Sequence, residues 1–282
     1  MIDLQIPFRG EFDLDATLDC GQAFRWKKDE SGAWTGILKP GLVHIIRKGN
    51  ELHCSLESHQ VNNISDPTEY LTNYFDFPFD LSAFRAHVLE KSGNERELYT
   101  KILDFSAGLR ILRQEPFEMA ISYILSIQST IQLIVRRIEQ ISSLFPENAI
   151  GNTARYLFPS LKQLKNRIDA IRELKLGFRS RYIISFIERL DSEYELNAIA
   201  GFSYEKKFSW LTSFLGIGPK VAHCIMLFSF ADHDIVPVDT WIKRFYAEYC
   251  ADNGRKFTEK FHPYSGVLQE YIFRWIRSDR GV

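Results

Sequence analysis

The apolar pattern of this chain changes its period once, near Leu81, and that change restricts the folds open to it. Before this point, short runs rich in aromatic and β-branched residues are separated by glycine-containing turn signals, which is typical of strands in an antiparallel meander. These runs are Gln22–Lys27, Trp34–Leu38, Val43–Arg47 and Leu52–Leu56. The first part of the chain is therefore predicted to be mainly β.

From about Leu81 onwards, apolar residues recur at three- and four-residue spacing, which predicts helices with one buried face. The predicted helices are Ser82–Lys91, Glu95–Phe105, Pro116–Leu125, Ile131–Leu144, Leu161–Leu174, Arg181–Leu190, Tyr204–Phe214, Pro219–Ser229, Thr240–Tyr249 and Ser265–Arg277. We predict an α+β protein with an antiparallel β domain at residues 1–80 and an all-α domain at residues 81–282.

Composition excludes several classes of protein. The chain has 282 residues, 45% hydrophobic and 25% charged, which is ordinary globular usage. No apolar stretch approaches the ~18–20 residues that span a bilayer, and the amino terminus lacks the features of a signal peptide. The four cysteines form no CxxC pair, which argues against a zinc or iron–sulfur site. We expect a cytoplasmic monomer that needs no membrane and no metal.

Charge is unevenly distributed, although the net charge is only −1. Residues 1–90 contain eight Lys or Arg against fourteen Asp or Glu, whereas Arg155–Arg181 contains eight basic residues and two acidic ones. The basic segment is either a solvated helix face or a patch that faces phosphates, and a protein need not be basic overall to carry such a patch. Both interpretations remain open at this point.

Two short segments suggest chemistry. The first, Leu215–Lys220, places Gly216 and Gly218 in a turn between two predicted helices, where conformations forbidden to other residues are needed. Pro219 suits the first turn of the second helix, whose exposed N–H groups can bind an anion such as a DNA phosphate. The glycines alone are equally consistent with an ordinary helical hairpin.

Lys220 and Asp239 indicate that these two segments have a chemical role. Lys220 lies in the first turn of a helix, where the helix dipole disfavours added positive charge and so favours the neutral amine that a nucleophile needs. Asp239 follows Val236-Pro237-Val238 at the N-cap of the next helix, where a rigid, ionised carboxylate could stabilise a cationic intermediate. The alternatives are a phosphate contact for Lys220 and a purely structural cap for Asp239.

These residues carry a resemblance to a known family. A hairpin lysine followed by Val-Pro-Val-Asp resembles the helix–hairpin–helix DNA glycosylases, and further segments resemble 8-oxoguanine DNA glycosylases of the eukaryotic type. Those segments are Cys20–Trp26, Tyr74–Asp76, Gly108–Pro116, Gly177–Arg179 and Pro263–Phe273. The resemblance covers nearly the whole chain in one order. It implies a TATA-protein-like β domain, a helical glycosylase domain with its helix–hairpin–helix at about 205–229, and a bacterial member of the family.

The resemblance also implies an activity: excision of 8-oxoguanine from duplex DNA in base excision repair, with an attached AP lyase. Lys220 would attack C1′ of the flipped nucleotide and form a Schiff base that undergoes β-elimination. Asp239 would stabilise the developing sugar cation, and Gly216 and Gly218 would contact the DNA. No cofactor is implied, although a structural cation at the hairpin carbonyls is possible in this family.

Recognition of the base is implied at four positions. Gly21 would accept the N7–H that only the oxidised base carries, Gln269 would read its Watson–Crick edge, and Phe273 and Cys224 would sandwich the ring. Gln269 and Phe273 are four residues apart, as are Lys220 and Cys224, so each pair shares a helix face. Taken alone, Phe273 and Cys224 would be assigned to the core, and Gln269 to the surface.

Contacts with the rest of the duplex are implied at further positions. Phe178 and Arg179 occupy the positions that wedge into the duplex and contact the orphaned base, and Gln128 would fill the vacated space. Leu133 stands where eukaryotic members have an arginine that contacts the opposite cytosine, so we predict a relaxed opposite-base preference. His223 replaces an aspartate that is usual beside the lysine.

Two other functions remain as alternatives. A related glycosylase for alkylated bases would not need Lys220, because such enzymes generally use the aspartate without a hairpin lysine. A non-catalytic DNA-binding hairpin protein would use Asp239 only as a cap. An adenine-removing relative is disfavoured because its usual four-cysteine cluster is missing.

Overall fold

The computed structural model describes residues 1–57, 65–250 and 252–278. Its single sheet is antiparallel, with strand order β1-β5-β4-β3-β2. The strands are β1 Ile2–Pro7, β2 Trp26–Lys28, β3 Trp34–Leu38, β4 Gly41–Lys48 and β5 Glu51–Glu57. Leu52, Cys54 and Leu56 alternate with more exposed residues along β5, so one face of this strand is buried.

The sheet differs from the sequence-based prediction in two places. Strand β1 was not predicted, although Ile2, Leu4 and Ile6 alternate with polar residues as in a half-buried strand. The predicted strand Gln22–Lys27 is mostly wrong, because the ladder begins only at Trp26. The side chain of Gln22 is instead bonded to backbone groups elsewhere, and these bonds fix this segment as a loop.

Fifteen α-helices are found in the described part of the chain. They are α1 Leu14–Leu18, α2 Pro67–Tyr74, α3 Leu81–Lys91, α4 Arg96–Phe105, α5 Pro116–Leu125, α6 Ile131–Ser142, α7 Leu161–Lys165, α8 Ile168–Glu173, α9 Arg179–Arg189, α10 Tyr194–Ala198, α11 Tyr204–Thr212, α12 Pro219–Phe230, α13 Thr240–Tyr249, α14 Phe257–Phe261 and α15 Ser265–Ser278. The predicted helices all occur, but Leu161–Leu174 is two helices. Four short helices (α1, α2, α10 and α14) were not predicted.

The α+β class is confirmed by a five-stranded antiparallel sheet followed by helices. The chain divides into two compact units, each built from three segments. Unit 1 is Met1–Pro7, Phe24–Leu71 and Gln114–Ile225, and unit 2 is Phe8–Ala23, Thr72–Arg113 and Met226–Val282. This division by compactness crosses the boundary near residue 80, so the assignment of 1–80 and 81–282 as domains stays a prediction.

One helix in each unit is largely buried. All ten residues of α5 in unit 1 are buried, and so are residues 265–272 of α15 in unit 2. A side chain that projects from such a helix is fixed by packing on every side. Among the described helices, none is long and apolar enough to cross a bilayer.

Candidate active site

The predicted helical hairpin forms between α11 and α12. Its turn is closed by the bond from Ile217 N–H to the Phe214 carbonyl, at 3.1 Å, and the buried side chain of Ile217 anchors it. Gly216 has φ +86°, a conformation that favours glycine. Gly218 is exposed, and a methyl group there would meet nothing within 4 Å. The backbone at Gly218 is therefore open to close approach.

Lys220, the second residue of α12, is half-buried. Its Nζ lies 5.1 Å from the centroid of the Tyr123 ring on α5, and Tyr123 is itself buried and packed edge-on against Phe24. The face of an aromatic ring attracts a cation by about 0.5–2 kcal/mol. Tyr123 was missed by the sequence analysis, because within the mostly apolar α5 nothing distinguishes it from a core residue.

Further along α12, Cys224 is buried, as expected for either a core or a base-contacting residue. His223 faces α11, where its Nε2 lies 3.1 Å from the Tyr204 hydroxyl and its ring packs near Phe208. The residue that replaces the usual aspartate therefore contributes to packing between the two helices of the hairpin.

Phe178 and Arg179 begin α9 and differ sharply in exposure. Phe178 is 43% exposed, whereas Arg179 is 6% exposed, with its guanidinium 4.4 Å from the Phe178 ring centroid. Arg179 donates to the carbonyls of Ile127 and Gln128. Burial lowers the pKa of Arg179, and the like charge of Arg137 lowers it further. The predicted contact of Arg179 with an orphaned base would require these backbone bonds to be exchanged, and it stays a prediction.

Gln128 lies in the turn between α5 and α6 and is exposed. Its φ of +50° is uncommon for a residue other than glycine. The turn is braced by Arg179 and by Arg137, whose Nη1 donates to Ser129 Oγ at 2.5 Å. Leu133, in the first turn of α6, is 41% exposed. Both side chains are thus available to a partner.

A groove of about 690 Å³ runs beside the start of α9. Its lining includes Gly177, Ser180, Arg172, Arg181 and, from the hairpin, Leu215. Elsewhere in the basic segment the charges are partly used within the protein: Arg167 pairs with Glu147, and Lys165 donates to the Leu190 carbonyl. These two residues are therefore engaged within the protein, and a phosphate-facing role for the rest of the segment stays a prediction.

In unit 2, Asp239 is the N-cap of α13, as predicted. Its Oδ1 accepts from the backbone N–H groups of Trp241 and Ile242, both at 2.9 Å. Two such bonds hold the carboxylate in one orientation.

Gln269 corrects one expectation. Taken alone it was assigned to the surface, but in α15 it is only 4% exposed. Among the described residues its Oε1 finds no hydrogen-bond partner. A buried polar atom of this kind costs about 1–3 kcal/mol unless something satisfies it. Phe273, one turn later, is half-buried.

Gly21 lies in a bend after α1 with φ +104°. Its neighbours on both sides are anchored. Cys20 Sγ donates to the Thr17 carbonyl at 3.3 Å, and Gln22 Nε2 donates to the carbonyls of Thr17 and Arg110, at 2.9 and 2.8 Å. The Gly21 peptide is therefore held on both sides and has little freedom to move.

Two residues near Gly21, Arg277 and Glu270, were missed by the sequence analysis. Arg277 donates to the Cys20 carbonyl at 3.2 Å, and its guanidinium lies 5.1 Å from the Phe273 ring centroid. Burial raises the pKa of the Cys20 thiol, and the nearby Glu270 carboxylate raises it further. The four-residue spacing from Phe273 to Arg277 was a usable signal, because residues so spaced share a helix face.

The predicted site residues thus fall into two sets. Unit 1 carries Gln128, Phe178, Arg179, Gly216, Gly218, Lys220 and Cys224, and unit 2 carries Gly21, Asp239, Gln269 and Phe273. Over the residues that can be described, no group of three or more potential metal ligands occurs.

Comparison with known proteins now bears on this arrangement. The family model for the N-terminal domain of 8-oxoguanine DNA glycosylase matches residues 5–120. The 8-oxoguanine glycosylase/lyase of Clostridium acetobutylicum, solved in its apo form, is 30% identical, with a TM-score of 0.81 over 97% of this chain and 96% of that one. The chain belongs to the 8-oxoguanine DNA glycosylase family.

Other members of the family are similar over comparable lengths. The structure of MBOgg1 in complex with a low-affinity DNA ligand is 27% identical, with a TM-score of 0.84 over 98% of this chain and 96% of that one. The N-glycosylase/DNA lyase OGG1 of Arabidopsis thaliana is 28% identical over 262 residues, which is 89% of this chain and 70% of the relative. The likeness therefore extends over both compact units.

Proposed function

We propose that this member of the family is a bifunctional DNA glycosylase and AP lyase that excises 8-oxoguanine from duplex DNA in base excision repair. Within the structure, Gln269 is the observation that carries the proposal. It is a buried amide with an unsatisfied Oε1, and the N–H groups on the Watson–Crick edge of a purine would satisfy it. The relatives, named as N-glycosylase/DNA lyases, support the same activity.

In the proposed reaction, Nζ of Lys220 attacks C1′ of the extruded nucleotide as the bond from C1′ to N9 breaks and the base leaves with the electron pair. The Lys220 nitrogen then loses one proton, and the C1′–O4′ bond breaks as O4′ takes up a proton, which leaves a protonated Schiff base between Lys220 and C1′. Removal of a C2′ proton then expels the 3′ phosphate by β-elimination. Asp239 stabilises the sugar cation, and the Tyr123 face stabilises positive charge at Nζ.

Base recognition in this proposal depends on one proton. Guanine N7 is an acceptor, whereas 8-oxoguanine carries N7–H, so a carbonyl at Gly21 accepts from the lesion and repels the normal base. The anchored neighbours of Gly21 support a fixed carbonyl. Gln269 reads the opposite edge of the base, and Cys224 and Phe273 cover its two faces.

The duplex is engaged mainly by unit 1. Exposed Phe178 enters the base stack, Gln128 fills the space that the flipped nucleotide leaves, and the Gly216–Gly218 backbone binds a phosphate. Arg181 in the groove supplies charge for the phosphate backbone. The chemistry needs only an amine and a carboxylate, so no cofactor is required. A hard cation bound to carbonyls of the hairpin turn would add to phosphate binding.

We further propose that the protein acts as a monomer in the cytoplasm of a bacterium and associates with the nucleoid through DNA. Light scattering after size exclusion, with and without duplex DNA, checks the oligomeric state. One protein chain per duplex is expected, and two chains per duplex would contradict it.

The direct test is excision from a duplex that carries one 8-oxoguanine, resolved on denaturing gels with and without alkali. The wild-type protein should release the base and cleave the strand, and Gln269→Ala should lower excision about tenfold or more, since about 1–3 kcal/mol of recognition is lost. Gln5→Ala, an exposed glutamine on β1, serves as the control. Release of an alkylated base instead, or binding without release, would support the alternatives.

The opposite-base preference is tested at Leu133. Wild-type excision should differ only a few-fold when the lesion is placed opposite each of the four bases. Leu133→Arg should raise the preference for cytosine about tenfold, because one base contact by arginine is worth about 1–3 kcal/mol. Gln132→Arg, an exposed neighbour on α6, is the matched control. A strong cytosine preference in the wild-type protein would show that Leu133 does not relax it.

A further inference from the structure

The hairpin turn packs directly against Tyr182 of α9. A methyl group placed on Gly216 would lie 2.5 Å from both Cγ and Cδ2 of Tyr182, closer than such atoms can approach. Gly216 is thus required for space as well as for its φ of +86°. The turn that precedes Lys220 is therefore packed against the ring of Tyr182.

Tyr182 in turn contacts the exposed aromatic residue at the start of its own helix. The rings of Tyr182 and Phe178 meet edge to face, with centroids 5.5 Å apart and planes at 62°. Residues four apart on a helix lie on the same face, so this contact sets the direction in which Phe178 projects. Among the described aromatic pairs, Tyr182 is the only ring that contacts Phe178. The guanidinium of Arg179 also lies against the Phe178 ring.

Arg179 connects Phe178 to the turn between α5 and α6. It stacks on Phe178 and donates to the backbone carbonyls of Ile127 and Gln128. These bonds hold the turn in which Gln128 adopts its unusual positive φ. Five residues, Gly216, Tyr182, Phe178, Arg179 and Gln128, thus form an unbroken series of contacts within unit 1.

We propose that Tyr182 is a positioning residue that fixes Phe178 relative to the hairpin carrying Lys220. The proposal rests on the proposed function, in which Phe178 enters the duplex while Lys220 attacks the extruded nucleotide. Tyr182 touches neither reactant. By contacting both Gly216 and Phe178, it fixes the spacing between the residue that opens the stack and the amine that attacks.

These contacts predict that Tyr182 affects the rate only of the steps that require extrusion of a base. Truncation of the ring lets Phe178 turn away from its present direction, which slows extrusion. A duplex with a preformed abasic site has no base to extrude, so attack by Lys220 on it depends much less on Phe178. A residue that merely stabilised the fold would affect both substrates equally.

The experiment compares Tyr182→Ala and Tyr182→Phe with the wild-type protein. Single-turnover excision of 8-oxoguanine is measured beside borohydride trapping on preformed abasic DNA, and 2-aminopurine fluorescence next to the lesion reports extrusion. For Tyr182→Ala we expect excision and extrusion to slow about tenfold or more, since small misplacements are costly, with trapping nearly unchanged. Tyr182→Phe keeps the ring and should match the wild type. Tyr194→Ala, an exposed tyrosine of α10, is the control.

The proposal is overturned if Tyr182→Ala excises at the wild-type rate, if it loses excision and trapping equally, or if Tyr182→Phe is as impaired as Tyr182→Ala. Absence of excision by the wild-type protein would instead contradict the proposed function. Should Tyr182→Ala fail to fold, judged by its thermal unfolding, Tyr182→Leu takes its place.

A double-mutant cycle gives an independent readout. Gly216→Ala should impair excision in the wild-type background, because the added methyl meets the Tyr182 ring. It should impair excision less in the Tyr182→Ala background, where Cγ and Cδ2 are gone, so the two effects should not be additive. Strict additivity would show that the contact has no role in the reaction.

Discussion

Gly21 and Gly216 show two ways in which a single residue can fix a site. Both have positive φ, but Gly216 is confined by the ring of Tyr182, whereas Gly21 is confined through its neighbours Cys20 and Gln22. The ring that confines Gly216 lies on α9, and the Arg110 carbonyl that anchors Gln22 is 88 residues away in the chain. The conformation therefore depends on tertiary contacts as well as on the glycine itself.

At the residue scale, we predict that Arg277→Met lowers single-turnover excision of 8-oxoguanine about tenfold, because a loosened Gly21 peptide would lose the contact proposed to distinguish the lesion from guanine. Arg274→Met is a closely matched control. Arg274 lies on the same helix, stacks on the Phe105 ring and donates to the Phe105 carbonyl, but it has no link to Gly21. Trapping on abasic DNA should be unchanged in both variants. Equal losses in the two variants would show that Arg277 only stabilises the fold.

Sequence reasoning reached those site residues whose role is set by local backbone chemistry. Asp239 was placed as an N-cap and Gly216 in a helical turn from turn and capping preferences alone. The burial of Gln269 and of Arg179 was not predictable in this way. Arg179, for example, is buried through bonds to carbonyls about fifty residues earlier in the chain, which no local pattern encodes.

At the scale of elements, α5 is unusual because every one of its residues is buried, including Glu118. The Glu118 carboxylate lies 3.7 Å from Nη1 of Arg25. Nε of the same arginine lies 3.2 Å from the Glu139 carboxylate. Desolvation raises the pKa of Glu118 to about 7, despite the opposing attraction of Arg25. A buried helix thus carries a carboxyl group that titrates near neutral pH.

This pKa predicts a pH dependence of stability. Between pH 4.5, the ordinary value for the carboxyl, and about pH 7, the folded protein binds more protons at Glu118 than the unfolded chain does. The contribution of Glu118 to the free energy of unfolding should therefore fall as pH rises through this window and stay level above it. Thermal unfolding of Glu118→Gln should lack this part of the slope, and exposed Glu90→Gln should keep it. An identical slope in Glu118→Gln and the wild type would contradict the assignment.

The elements themselves were predictable to different degrees. Helices of about three turns with clear start signals, such as α5 at Pro116 and α13 after Asp239, were placed at their observed bounds. The break between α7 and α8 was missed because Leu164 and Ile171 keep the same buried periodicity across it, while Arg167 leaves the helical conformation. Helices as short as α1 and α14 have too few residues for a periodic signal.

At the scale of the whole molecule, the proposed catalytic residues are shared between two compact units whose segments alternate along the chain. Lys220 and the residues proposed to contact the duplex belong to one unit, whereas Asp239 and most of the residues proposed to read the base belong to the other. No single cut in the chain separates these sets, so the proposed activity draws on residues from both units.

The account depends most directly on a covalent bond between Lys220 and the sugar of an 8-oxoguanine nucleotide. Borohydride reduction of the wild-type protein with 8-oxoguanine duplex DNA should trap a stable protein–DNA adduct, and the same duplex with guanine should give none. Lys220→Gln should abolish the adduct, whereas Lys207→Gln on α11 should still form it. An undiminished adduct in Lys220→Gln, or none with the wild-type protein, would contradict the proposed chemistry.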